Sequence, residues 1–211
     1  MNFIKYTGIR VYFSTTPNKY NNNYVEEVLV GLLLSDGWLE KSHVNARFRI
    51  ELSDKSSEFF FDVYKLLCFF CTSNTPTYRE RHDKRTDKVY KSLLLTTRAL
   101  PYFNYFYDLF YVNKIKSIPI NIYELLTPVS LAFWVIDGYK YNAGVALATN
   151  SFSVEENELL IDALNKNFGF NSWIIDDHGK PSIYIPKQNL IQLQNLISKH
   201  IHYTILYKIH I

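Results

Sequence analysis

Residues 29–37 read LVGLLLSDG and residues 131–138 read LAFWVIDG. The two apolar runs lie about one hundred residues apart, and each stops abruptly at Asp-Gly. Runs of this length suit short buried helices. A carboxylate at a helix C-terminus faces the negative end of the macrodipole, so Asp36 and Asp137 sit where the helices themselves disfavour them. A divalent cation shared by the two ends would explain the placement, because carboxylates and backbone carbonyls are hard-metal ligands. Gly31 and Ser35, four residues apart, provide a small-residue stripe along which a second helix can approach closely.

Around the first run the pattern changes period. Ala46, Phe48, Ile50 and Leu52 alternate with Arg47, Arg49 and Glu51, which predicts a half-buried strand. Residues 56–71 predict a helix, 76–98 a hairpin turning at 83–87, and 100–111 a closing helix. After 131–138 the order recurs: a strand at 145–149, a helix over 154–168, a hairpin over 172–186 turning near Asp177-His178-Gly179, and a helix over 188–200. Each half therefore reads αββαββα, although its first strand is weakly marked. The expected organisation is an N-terminal arm (1–23), a first repeat (24–112), a linker with a short helix (113–128) and a second repeat (129–211).

With 47% hydrophobic residues, 17 Tyr and 15 Phe, the 211-residue chain has ample core material. No apolar run reaches the roughly 18–20 residues that span a bilayer, so a soluble protein with no membrane partner is expected. Cys68 and Cys71 have no second Cys pair or nearby His. They read as small core residues in a reducing compartment rather than as a metal site. Residues 1–23 carry Lys5, Arg10 and Lys19 and no acid, a pattern that suits either an organellar transit segment or an ordinary arm.

Charge divides the chain unevenly. Lys and Arg number 23 and Asp and Glu 20. Residues 129–211 hold six Lys, no Arg and seven acids, a balance of −1. The first 128 residues keep 17 bases and 13 acids, a balance of +4. Duplex binding rests largely on phosphate neutralisation, and Arg is the preferred reader of guanine edges. A basic sheet face is therefore expected in the first half, from Arg47, Arg49, Arg79, Arg81 and Arg85, with Lys88 and Lys91 on the hairpin arms. Solvated surface charge is the alternative there. In the second half an ordinary soluble surface is the simpler expectation.

The repeated helix resembles that of the LAGLIDADG homing endonuclease family. The resemblance runs from about Tyr24 to Ile209. It includes Ala46-Arg-Phe-Arg, Thr96-Thr-Arg, Lys116-Ser-Ile-Pro, Leu126-Thr-Pro, Thr149-Asn-Ser-Phe, Lys180-Pro-Ser-Ile-Tyr-Ile and Tyr207-Lys-Ile. The chain is most similar to the single-chain, two-repeat endonucleases encoded in mitochondrial introns. The resemblance implies an α+β fold of two pseudosymmetric αββαββα repeats, packed through the two LAGLIDADG helices, whose antiparallel sheets form a saddle over a DNA major groove. It further implies a monomer in which Asp36 and Asp137 bind Mg²⁺, with Lys116 and Lys208 near the scissile phosphates. Heavy use of Asn, Ile, Lys, Tyr and Phe agrees with an AT-rich mitochondrial genome.

The second motif departs from the family pattern. Counted forward from Leu131, Asp137 falls one place early; counted back from Thr149-Asn-Ser-Phe, it falls in the acid place. The counts agree only if one residue is missing from the helix. One residue turns a helix by about 100° and shortens it by about 1.5 Å. Either Asp137 points away, or the helix shifts register and repacks around Phe133 and Ile136. Because the missing residue and the charge deficit fall in the same repeat, a compromised second half-site is expected. The alternative function is accordingly a catalytically impaired member that binds structured RNA, as a group I intron maturase or as a subunit of a mitochondrial ribonucleoprotein such as the ribosome.

Overall fold

Two helical stretches, residues 28–34 and 129–134, set the architecture, because each is buried all round. The computed structural model of the protein describes residues 5–6, 9–10, 22–73 and 75–209. Strands β1 (Lys5–Tyr6) and β2 (Ile9–Arg10) pair with each other, and the rest of the expected N-terminal arm up to residue 21 lies outside the described residues. Next come α1 (Asn22–Leu34), β3 (Trp38–Lys41), β4 (Ala46–Ser53), α2 (Ser57–Leu67), β5 (Thr77–Asp83), β6 (Lys88–Thr96) and α3 (Pro101–Phe110). A small hairpin, β7 (Tyr111–Val112) with β8 (Ile115–Lys116), and the one-turn helix α4 (Ile122–Leu125) lead into the second half. That half comprises α5 (Pro128–Trp134), β9 (Tyr139–Tyr141), β10 (Gly144–Leu147), α6 (Val154–Phe168), β11 (Trp173–Asp176), β12 (Pro181–Ile185) and α7 (Leu190–Ile197).

The two four-stranded sheets share one antiparallel order, β3-β4-β6-β5 and β9-β10-β12-β11. Both halves therefore wind alike, and the α+β fold of two sheets around a helical core is the one expected. In β4 the even-numbered residues Ala46 to Leu52 are buried and the odd ones face outward. Helix α5 starts at a capping box, with Pro128 in its first turn; Thr127 Oγ1 accepts from the Ser130 amide while Ser130 Oγ accepts from the Thr127 amide. Helix α6 starts at the same device, Ser153 with Glu156, and ends at Gly169 in the left-handed region. Helix α2 stops earlier than the sequence suggests. Residues 68–70 tighten into a 3-10 turn whose Phe69 and Phe70 carbonyls accept from the Arg98 guanidinium. Arg98 is thereby spent on structure, as a cap.

Helices α1 and α5 cross at the centre. Val28 to Leu34 and Val129 to Trp134 are all buried. Gly31 makes the crossing possible: a Cβ there would lie 2.3 Å from the Ser130 carbonyl oxygen and 2.7 Å from Phe133 Cβ.

Candidate active site

Each central helix ends in a different turn. After α1, the Gly37 amide reaches back five residues to the Leu32 carbonyl at 2.8 Å, a wide closing turn that leaves Asp36 projecting. A side chain on Gly37 would collide with the Leu32 carbonyl at 2.6 Å and with the Phe48 ring. After α5, residues Val135–Asp137 form a 3-10 helix, and the Gly138 amide reaches back only three residues to Val135 at 2.8 Å.

This tightened turn absorbs the missing residue. Three 3-10 residues climb about 6 Å and turn about 360°, whereas four α-helical residues climb about 6 Å and turn about 400°. Upstream the register is undisturbed, since Gly31 and Phe133, the third places of the two motifs, meet across the interface. The helix keeps its register upstream of the turn, and the missing residue is taken up within the turn itself. Overwinding the last turn keeps Asp137 within electrostatic reach of Asp36, and the charge of each of Lys116 and Lys208 is felt by both acids.

The lysines come from two short closing segments. Lys116, on β8, donates to the carbonyls of Ser35 at 3.2 Å and Gly37 at 2.8 Å. Lys208 donates to the Ile136 carbonyl. Each ammonium thus meets the carbonyl-rich end of one central helix, where the macrodipole favours a cation. The segment carrying Lys208 is tied to the first half: His202 Nε2 lies 3.1 Å from the Asp62 carboxylate, and the Tyr203 hydroxyl donates to Glu58.

Burial dominates the protonation of all four groups. It pushes the Asp137 carboxyl up to about 6, with the Asp36 charge adding to the rise and Lys208 and Lys116 opposing it. Asp36 opens to solvent on one side, yet crowding by protein raises its pKa as well, against both lysines. Burial pulls Lys116 down to about 8, and Lys208 also downward, against the two acids. Two like charges held close without full hydration form a site that a cation relieves. The donors are all hard oxygens, two carboxylates and nearby helix-end carbonyls, which suit Mg²⁺ or Ca²⁺ better than a soft metal. No cluster of three or more metal-ligating side chains occurs among the described residues, so water and substrate would have to complete such a shell.

Strands β3 and β9 leave directly from Gly37 and Gly138, so the outward faces of both sheets begin at the carboxylate pair. On the first sheet, alternation and register put Arg47, Arg49, Arg79, Arg81 and Lys88 on one face. Arg85 lies exposed in the hairpin turn. Lys91 departs from this group: it stands opposite Glu80 on the other side of the ribbon and pairs with it at 3.2 Å. Two acids lie among the arginines and pair with them. Glu40 holds Arg47 at 2.6 Å and Arg49 at 2.5 Å, and Glu51 holds Arg79 at 3.1 Å. Glu51 was visible as the third outward residue of β4. Glu40 was not, because its strand is too short to show a period.

The sequence profile of the LAGLIDADG DNA endonuclease family matches residues 26–193. This chain belongs to that family. Family endonucleases use divalent metal ions, in keeping with the donor set above. The chain is 29% identical over 189 residues to the probable intron-encoded endonuclease 1 of Wickerhamomyces canadensis, covering 83% of this chain and 79% of that protein. It is 25% identical over 230 residues to the cytochrome b mRNA maturase bI2 of Saccharomyces cerevisiae; this match takes in 99% of the chain but only 54% of the maturase. The fold superposes on the homing endonuclease I-WcaI bound to its DNA recognition sequence with a TM-score of 0.84 at 25% identity, covering 91% of this chain and 89% of that one.

Proposed function

We propose that this LAGLIDADG chain is a Mg²⁺-dependent endonuclease that makes a double-strand break in duplex DNA at a long, asymmetric site. The observation that carries the reading is that the two central helices, one from each half, both end in an acid with a lysine donating to the helix-end carbonyls, Asp36 with Lys116 and Asp137 with Lys208, the Asp36 charge reaching Asp137. Asp36 and Asp137 are the residues that would hold magnesium. When bound, the ion would supply a Lewis acid and a water of lowered pKa. Lys116, pinned between two carbonyls, remains mostly protonated at neutral pH and offers fixed positive charge to a phosphate. Lys208 does the same on the other strand. Arg47, Arg49, Arg79 and Arg81 would track one half-site, exchanging Glu40 and Glu51 for phosphate oxygens or base edges. The Asn-, Ile-, Lys-, Tyr- and Phe-rich composition supports a mitochondrial location. No helix among the described residues is long and apolar enough to cross a membrane.

A second reading, RNA binding as an intron maturase or within a ribonucleoprotein, is favoured by the Arg-free second half and by the mRNA maturases among its relatives. The deciding experiment incubates purified protein with a randomised-site plasmid library, with Mg²⁺ or with EDTA, and sequences the cut ends. Wild-type protein should give paired staggered breaks with Mg²⁺ only. Asp36→Asn should give none while holding duplex within a few-fold of the wild-type affinity. A folded Asp36→Asn that cuts at the wild-type rate would refute the assignment.

A further inference from the structure

The second sheet replaces the first sheet's guanidiniums with rings. Across the first sheet the outward row runs Trp38, Arg49, Thr96, with Glu40 opposite Arg47 beside it. The matching row of the second sheet runs Tyr139, Ala146, Tyr184, Trp173, with Tyr141 opposite Gly144. Arg49 and Arg47 are thus answered by Ala146 and Gly144, and Thr96 by Tyr184. The Tyr184 ring fills the space over Gly144, where a Cβ would lie 2.7 Å from it. Ring centroids follow one another at 6.4 Å from Tyr139 to Tyr141, 5.7 Å to Tyr184 and 4.9 Å to Trp173. Ala146 and Ser182 beneath them are fully buried, although they face away from the helices. The rings meet edge to face across the sheet, with Tyr184 buried among them and Tyr139 and Tyr141 half-buried. Trp173, at the edge, is 47% exposed.

A face with no Arg, in a half whose charge balance is −1, has little with which to hold duplex phosphates. What it offers nucleic acid is the exposed Trp173 ring, flanked by the half-buried Tyr139 and Tyr141, and stacking needs a base that is already out of its helix. Structured RNA presents such bases in loops and junctions, and they are recognised by stacking on aromatic side chains. We propose that the outward face of β9, β10, β12 and β11 is a stacking platform for unpaired bases of an RNA, continuous with the carboxylate pair through Tyr139. The proposal rests on the RNA-binding reading above.

The test uses Trp38→Phe protein, in which Trp173 is the remaining exposed indole because Trp134 is 1% exposed. The probes are an unstructured oligoribonucleotide of roughly 12 nucleotides, its deoxy counterpart and a duplex DNA. The oligoribonucleotide should quench Trp173 fluorescence. Adding Trp173→Ala should weaken its binding by roughly 5- to 150-fold, as truncation of a stacking ring does, with Trp173→Phe retaining most of the affinity and duplex binding unchanged. Tyr141→Ser, which removes a half-buried ring at the sheet edge, is the second variant should Trp173→Ala fail to fold. It should weaken the oligoribonucleotide in the same sense. Duplex binding without any response to the oligoribonucleotide would overturn this inference and leave the endonuclease reading standing, and failure to bind any probe would overturn that reading as well. An equal loss of duplex affinity in Trp173→Ala would make the face an ordinary duplex contact. Equal quenching by the deoxy oligonucleotide would remove the assignment to RNA.

Discussion

Replacing Asp137 by Asn should stabilise the protein at neutral pH. Burial, and then the Asp36 charge, raise the Asp137 carboxyl from 3.8 to about 6. The fold therefore holds this proton more tightly than the unfolded chain does, and ionising the group costs folding free energy. The cost is absent below about pH 4, grows as pH rises from 4 through 6, and is complete above that. A shift of about two units is worth about 3 kcal/mol. Because the carboxylate still reaches solvent, about 1–2 kcal/mol should survive in measurement. Asn keeps the shape and removes the charge, so for a chain of this size the variant should melt about 2–8 °C higher. The assay is thermal melting of both proteins in EDTA at about pH 7.5 and about pH 4. The gap should appear only at the higher pH. Added Mg²⁺ should then raise the wild-type Tm more than the variant's. A variant that melts lower than wild type at about pH 7.5, or a gap equal at both pH values, would refute the argument that the acid pair is electrostatically strained.

Two further outcomes follow from the helix crossing and the 3-10 turn. Gly31→Ala drives a Cβ into the Ser130 backbone; an overpacking cost of about 3 kcal/mol, less about 1 kcal/mol of helix propensity, leaves a loss of about 2 kcal/mol. This should appear as a melting point lower by about 4–8 °C, and an unchanged melt would mean the helices part freely. Inserting one Ala between Ile136 and Asp137, which the motif count alone suggests as a repair, should instead rotate Asp137 by about 100° out of reach of Asp36. The inserted protein should lose the pH dependence of stability described above along with any cleavage; cleavage faster than wild type would show that the tightened turn is a defect.

Much of this was legible beforehand where a strong local signal and a tertiary need coincide. The Asp-Gly ends, the alternation of Ala46 to Leu52 and the span of α6 between Ser153 and Gly169 are such places. The turn after Trp134 was not legible, because α and 3-10 windings differ by a fraction of an ångström per residue and leave no compositional mark. The arginine face was legible only in half. Alternation announces Arg47 and Arg49, but that Glu40 neutralises both depends on a strand pairing set by the turn at residues 42–45. Lys91 was miscounted for a similar reason: position along a ribbon is visible in sequence, whereas its face depends on register.

The meeting of Gly31 with Phe133 also decides what each half recognises as its mate. Two copies of α1 laid together would set glycine against glycine and leave a hole at the crossing. Two copies of α5 would set phenylalanine against phenylalanine and be forced apart. Only the unlike pairing fills the space. Severed within residues 113–128, the two pieces should therefore choose each other over themselves, so that the two halves are free to diverge in what they bind while remaining faithful in how they join.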